Sequence, residues 1–269
     1  MFTTIITDCK EENEAGRQIA RFNSLNLGPT SLIGVDSSFG DIATIEAGAN
    51  LIDILDATEG KKGVIVVNVA PRGDKSIGEN GNSFCYFYYK KTLVISTVAG
   101  YTLSFIRNFK VANKVKVLEV QEVLEFMVKN NQITKQLKNH ITNSQFRSFD
   151  FVSRVARWLI DRYILPSSLV PIAYSLMPSC VWCIDAFGNA KLTLINQKIK
   201  KIINEEINTN LGAFNYYERL KDIPKGETAI YTGSSGLGDI RFLEIATQAV
   251  PGSAAKILNL KVGDEVKMM

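Results

Sequence analysis

The densest chemistry in the chain lies at residues 185–189, where Asp185, Phe187 and Asn189 put a carboxylate, an aromatic face and an amide on one short turn between two β-rich runs. A corner of that kind can hold a nucleoside, stacking the base and bonding its polar edge. It can equally be an Asx turn, with Asp185 and Asn189 bonded to their own backbone and Phe187 filling a core. Spacing leaves both readings open. Residues 232–238 (TGSSGLG) follow a β-rich run, and their small side chains let backbone N–H groups approach a ligand. No Gly-Lys-Ser/Thr follows, so this is not a Walker loop, and a simple turn is the plainer expectation. Asp8 closes the first β-rich run, the place where open α/β sheets present ligand-contacting residues. A carboxylate there can take a ribose diol, or it can cap the helix that begins near Lys10.

Other constellations carry less. Arg72, Lys75 and Arg147 could line an anion site, although scattered basic side chains are ordinarily solvated surface. The single histidine, His140, sits among Lys135, Lys138 and Asn139, so no Ser-His-Asp set can be assembled around it. Cys180 and Cys183 have the spacing of a redox or metal half-site, but zinc wants four ligands and one pair is not enough. Buried strand thiols and no metal site are expected.

The elements that must position these residues fall into two patterns. In the first 165 residues, β-rich runs at 3–7, 30–35, 63–70, 84–88, 92–96 and 115–120 alternate with helical periods at 11–22, 41–55 and 151–163. Asp41 stands where the second helix would take its N-cap. The run at 63–70 is continuously apolar and β-branched, as a strand covered on both faces must be. Strand-helix alternation of this kind implies an α/β domain with a central, mostly parallel sheet, assigned to residues 1–165. Proline and serine punctuation marks 166–179 as a linker. Residues 180–269 then read as a smaller, mainly β, barrel-like domain, with strands at 181–184, 191–195, 227–232 and 262–268 and one short helix near 253–258.

The chain of 269 residues is 46% hydrophobic and 22% charged, which excludes a disordered or fibrous protein. Its 31 basic against 27 acidic side chains give no field strong enough to argue for nucleic acid. No basic region followed by an apolar stretch opens the sequence, so a cytoplasmic protein is expected. The apolar window at 163–184 carries Pro166, Pro171 and Pro178, which suits a linker and strand better than a membrane span.

Taken together, three segments resemble the family of S-adenosylmethionine hydroxide adenosyltransferases and S-adenosylmethionine-dependent chlorinases and fluorinases. Ile184-Asp185-Ala186-Phe187-Gly188-Asn189 resembles the family's Asp-x-Phe-Gly-Asn turn. Ser234-Ser235-Gly236, Leu243-Glu244-Ile245-Ala246 and Gly252-Ser253-Ala254-Ala255 resemble its Ser-Ser-Gly-x-Leu-Glu-Ile-Ala and small-residue segments, with an insertion around 237–241. Thr7-Asp8 is similar to its first-strand Thr-Asp.

The resemblance implies an α/β domain joined to a β-barrel domain. It also implies a homotrimer that binds S-adenosylmethionine or adenosine between one subunit's first domain and its neighbour's second. S-adenosylmethionine would be substrate or ligand, with no separate cofactor, no nucleic acid and no membrane. By the same resemblance, Asp8 would hold the ribose hydroxyls. Asp185, Phe187 and Asn189 would contact the methionine end and the adenine, and Ser235 the methionine carboxylate or adenine region. The implied activity is hydrolysis of S-adenosylmethionine to adenosine and L-methionine by attack at ribose C5′.

Departures from the family pattern qualify that activity. Hydrolytic members carry Asp-Pro-Gly-Val-Gly where this chain has Val69-Ala70-Pro71-Arg72-Gly73, and Phe-His-Gly-Arg-Asp where it has Phe146-Arg147-Ser148-Phe149-Asp150. Their Pro-Asp-Asn-Gly becomes Thr97-Val98-Ala99-Gly100. Loss of the aspartate and histidine predicts slow hydrolysis even where binding survives. Ser148 and Arg147 are then the candidate catalytic side chains. The alternatives are a nucleoside-binding homologue with impaired chemistry and a halogenase-like enzyme.

Overall fold

A computed structural model describes residues 1–69, 82–173, 177–199, 206–249 and 253–269. The expected departures at Ala70 to Gly73, with Arg72, and the basic Lys75 lie outside the described residues. The chain divides into two compact units, Met1–Tyr174 and Ser175–Met269.

The first unit opens β1 (Phe2–Thr7), α1 (Glu12–Ser24), β2 (Thr30–Gly34), α2 (Asp41–Thr58), β3 (Gly63–Asn68). It continues β4 (Phe84–Tyr89), β5 (Thr92–Thr97), α3 (Ser104–Asn108), β6 (Lys114–Leu118), α4 (Val120–Lys129), α5 (Lys135–Thr142), a π-turn (Ser148–Val152), α6 (Ser153–Ile160) and β7 (Ser168–Pro171). Its seven strands form one sheet in the order β2-β1-β3-β5-β4-β6-β7. This is the α/β class that the alternation implies. The four strands β2, β1, β3 and β5 are mutually parallel, and β4, β6 and β7 add antiparallel pairings to one side.

The continuous apolar run places β3 between two parallel neighbours, with five of its six residues buried. Ile5, Val64, Val66, Leu93 and Ile95 pack on one face against Phe22 of α1, Val123 and Leu124 of α4, and Phe151 and Val155 of the last helical segment. The period of two sends Ile6, Ile65 and Val94, also fully buried, to the other face. Three details differ from the sequence reading. The segment at 166–179 supplies β7 to this sheet. Gly40, not Asp41, is the N-cap of α2, leaving Asp41 as an acid in its first turn. The helix expected from 151 begins as a π-turn at Ser148.

The second unit holds β8 (Val181–Ile184), β9 (Ala190–Ile195), β10 (Glu206–Thr209), β11 (Gly212–Tyr217), β12 (Thr228–Leu237), β13 (Ile240–Thr247) and α7 (Ser253–Ile257). Its sheet runs β10-β11-β12-β13-β9-β8. The C-terminal tail bridges both edges, Cys180↔Glu265 beside β8 and Thr209↔Met268 on β10, so residues 265–268 close the sheet on itself through two bridges rather than a continuous strand. Residues 232–238, expected as a turn, lie within β12 almost to their end. Only the Gly238-Asp239 pair turns the chain, with Gly238 at φ 58° as a two-residue hairpin loop requires.

Candidate functional site

The parallel strands of the first unit end on one edge of the sheet, and the chain passes from β1 to β2 on one side and returns to β3 on the other. The β1/β3 boundary is therefore the topological switch point, outside which open α/β sheets bind ligands. Asp8 is the residue that β1 delivers there. Its N–H donates to Asn68 O at 3.3 Å, which ties it to the end of β3, and Asn68 Nδ2 reaches Thr7 Oγ1 at 3.4 Å. Asp8 does not cap α1, whose N-cap is Glu11. Of the two readings open for Asp8, the geometry leaves the crevice position. Burial first, and then the adjacent Asp8 charge, push the Cys9 thiol above its ordinary value.

Arg147 and Ser148 are on the same edge, because Arg147 Nη2 donates to Asn82 O (3.1 Å) and its guanidinium covers the Phe84 ring at 5.6 Å. Phe84 begins β4 opposite Thr97, the end of β5. From β1 to β4 are three inter-strand spacings of about 4.8 Å, so Asp8 and Arg147 are separated by roughly 14 Å of sheet edge. Arg147 is half-buried, and desolvation lowers its guanidinium pKa. Ser148 is buried, and its Oγ has no hydrogen-bond partner among the described residues. Asp150 is occupied otherwise: it accepts from Ser144 Oγ at 2.6 Å and lies within 3.8 Å of Arg21, His140 and Arg154. It holds helices together and leaves His140 two-thirds exposed.

In the second unit, Asp185, Phe187 and Asn189 come together on the turn between β8 and β9. Asp185 Oδ1 accepts the N–H groups of Phe187 (2.8 Å) and Asn189 (3.0 Å), and its Oδ2 accepts Asn189 Nδ2 at 3.0 Å. The backbone closes the same turn, with Gly188 at φ 80°, and Ala255 of α7 donates to Gly188 O. Asp185 is thus an Asx-turn residue, as one reading held. Phe187, however, does not fill a core: it is 66% exposed. The turn uses its carboxylate to hold an aromatic face outward beside an amide.

A polar row crosses the sheet next to this turn. Register places Cys183, Lys191, Glu244 and Tyr231 opposite one another on β8, β9, β13 and β12. Tyr231 O–H donates to Glu244 Oε2, and burial first, then Glu244 and the Asp185 charge, push its phenol pKa up. Ser235 is buried, and Lys191 Nζ donates to its Oγ at 2.7 Å while lying 5.5 Å above the Trp182 ring. Register slips at 181–183, 242–244 and 232–236 converge here. Bulges of this sort re-aim side chains at sites. A cradle follows from Gly233, where an added Cβ would overlap Glu244 Oε1. Sequence reading did not select Lys191, Tyr231, Glu244 or Trp182. The available signal was a carboxylate inside the apolar run 242–246, which must be satisfied by a neighbour.

In the CxxC pair, burial pushes the Cys180 thiol up to about 11. Among the described residues no cluster of three or more His, Cys, Asp or Glu side chains is placed to hold a metal, and no helix is long and apolar enough to cross a membrane.

Residues 179–267, which carry the turn, the polar row and the tail, match the model of the SAM hydroxide adenosyltransferase C-terminal domain. The match supports the SAM hydroxide adenosyltransferase family for this chain. The match points to a function related to SAM, S-adenosylmethionine. Among solved structures, an uncharacterized conserved protein from Thermotoga maritima is similar over 99% of both chains, with 17% identity and a TM-score of 0.65. A conserved hypothetical protein from Thermus thermophilus is similar over 99% of both chains, with 16% identity and a TM-score of 0.61. These likenesses show the fold. No curated protein sequence matches the chain.

Proposed function

We propose that this SAM-related protein binds S-adenosylmethionine through its adenosyl group and transfers that group to water, giving adenosine and L-methionine. The observation that carries the reading is Phe187, exposed and held on a preformed Asx turn beside Asn189, within the stretch that matches the family domain. In this reading Phe187 stacks on the adenine, worth about 1–3 kcal/mol for a base on an aromatic ring, and the Asn189 amide reads the base edge. Asp185 orients both. Ser235 meets the amino-acid end, and Asp8 accepts from the ribose hydroxyls. The protein is a homotrimer in which Asp8 of one copy and the Asp185 turn of its neighbour serve one ligand.

The chemistry asks for alignment more than for acid catalysis. Water oxygen attacks C5′, the C5′–S bond breaks with its electron pair going to sulfur, and methionine leaves as a neutral thioether while the water proton passes to solvent. Holding water in line in a dry pocket supplies entropy and desolvation terms of potentially ~7 kcal/mol or more. Ser148, with its buried Oγ unpartnered, is the hydroxyl available to orient that water, and Arg147 is a cation on the same edge. Without an aspartate-histidine base, turnover is slower by about 10²- to 10⁴-fold than in an enzyme that has one.

The test is product analysis. Purified protein is incubated with S-adenosylmethionine, with and without chloride, and adenosine, chlorinated adenosine and methionine are separated by chromatography. Equal amounts of adenosine and methionine are expected in both conditions. Chlorinated adenosine would establish the halogenase-like alternative, and binding without any product would leave a nucleoside-binding protein.

A further inference from the structure

The face of the first unit made by α1, the π-turn and α6 gathers more positive charge than its own groups balance. Phe146 and Phe149 stack with their centroids 5.6 Å apart and their planes at 21°. The Arg17 guanidinium lies over both rings, at 5.3 and 4.9 Å, and that of Arg21 lies 4.0 Å over Phe149. Arg17 makes no ion pair within 4 Å and no hydrogen bond among the described residues, although Glu14 stands one helical turn before it. Arg21, Arg154 and His140 converge on a single oxygen, Asp150 Oδ1, at 3.8, 3.8 and 3.7 Å. Each stops about 1 Å beyond the reach of a charge-assisted hydrogen bond. Asp150 commits its other carboxylate oxygen to Ser144 Oγ, and Arg154 Nη1 turns to the Asp150 carbonyl at 2.5 Å. Burial first, and then the Arg21 charge, lower the Arg154 guanidinium pKa.

We infer that Arg17, Arg21 and Arg154, carried on the Phe146–Phe149 stack, form a phosphate-binding site on the first unit. The rings hold the guanidiniums of Arg17 and Arg21 in place and give their N–H groups no acceptor, so the planar forks are set before a ligand arrives. A phosphate group offers several oxygens to such forks and is bound bidentately by them. With one carboxylate among three guanidiniums, a dianion balances the face where a single carboxylate would not. The ligand chemistry is that of a phosphate dianion, free or borne by a nucleotide. This site is independent of the adenosyl reading, because neither Asp8 nor the Asp185 turn takes part in it.

Calorimetry on the full-length chain at fixed ionic strength tests this with inorganic phosphate, pyrophosphate, cytidine 5′-diphosphate and cytidine. A pyrimidine is used so that the proposed adenosyl site does not report, and cytidine alone reads any remaining contribution of the nucleoside. Wild type is expected to bind phosphate and pyrophosphate and not cytidine. Arg17→Gln and Arg21→Gln should each weaken pyrophosphate binding by about tenfold or more, as for a hydrogen bond to a charged group. Arg17→Lys, which keeps the charge and loses the fork, should weaken it less. Lys225→Gln removes an equal charge from an exposed position of the second unit and should change nothing. Diphosphate on cytidine binding more tightly than pyrophosphate supports the site with a nucleotide as its source, and equal or weaker binding supports it with the free anion. Absence of phosphate and pyrophosphate binding in wild type overturns the site, as does an Arg17→Gln protein that binds like wild type or loses no more than Lys225→Gln. Arg17 is exposed and unpaired among the described residues, so its variants decide the question even if circular dichroism shows Arg21→Gln unfolded.

Discussion

At the scale of single residues, Asp185 commits its carboxylate to its own turn and so holds Phe187 exposed. Its carboxylate accepts three hydrogen bonds from its own turn. Asp185→Ala should cost about 1–3 kcal/mol of stability and weaken nucleoside binding by freeing Phe187, whereas Asp185→Asn, which keeps an acceptor, should lose less of both. Thermal melts and calorimetry with adenosine compare the two. The thiols give a pH prediction. Burial pushes Cys85 up to about 12 and Cys180 up to about 11, from 9.0. The native state therefore holds these protons more tightly than the unfolded chain, so the stability contribution is intact below about pH 9 and is lost as pH rises towards 11–12. Denaturant melts across that range should show falling stability. At about pH 8 both thiols should resist alkylation in the folded protein; rapid labelling of Cys180 would contradict its burial.

Among elements, the last helical segment is pinned by one carboxylate. Asp150, in the π-turn before α6, draws together Arg21 of α1, His140 of α5, Arg154 of α6 and Ser144 of the intervening loop. Removing it leaves the guanidinium groups of Arg21 and Arg154 facing a vacated, largely buried position, so Asp150→Ala should lower stability by about 3 kcal/mol or more. A denaturant midpoint unchanged from wild type would contradict this. Such long-range pinning is invisible in a sequence, and so were α4 and α5, whose apolar faces are short. What could be read were elements whose pattern is local: the apolar run of β3, the periods of α1 and α2, and the alternation of β8 and β9. The turn at 185–189 was legible as a candidate site because its residue types are unusual together. Lys191 was not, because a lysine in an alternating strand looks like solvent-facing surface until register sets it beside Ser235 and Trp182. The 232–238 stretch was misread because its glycines signal a turn, and here they permit bulges and a close carboxylate within a strand.

At the scale of the whole molecule there are two compact units, with Asp8 at the switch point of an α/β sheet in one and the Asp185 turn with the Lys191 row on a closed β-sheet in the other; the proposed function gives each part of one ligand's partners. If neighbouring copies supply the two parts, light scattering should give three times the mass of the chain. The measurement that bears most directly on the central claim is a calorimetric titration of the full-length protein with S-adenosylmethionine, repeated with Asp8→Ala and Phe187→Ala. The account predicts one ligand per chain, with binding reduced by about tenfold or more in each variant. Heat of binding that is absent in wild type, or unchanged by both substitutions, would contradict it.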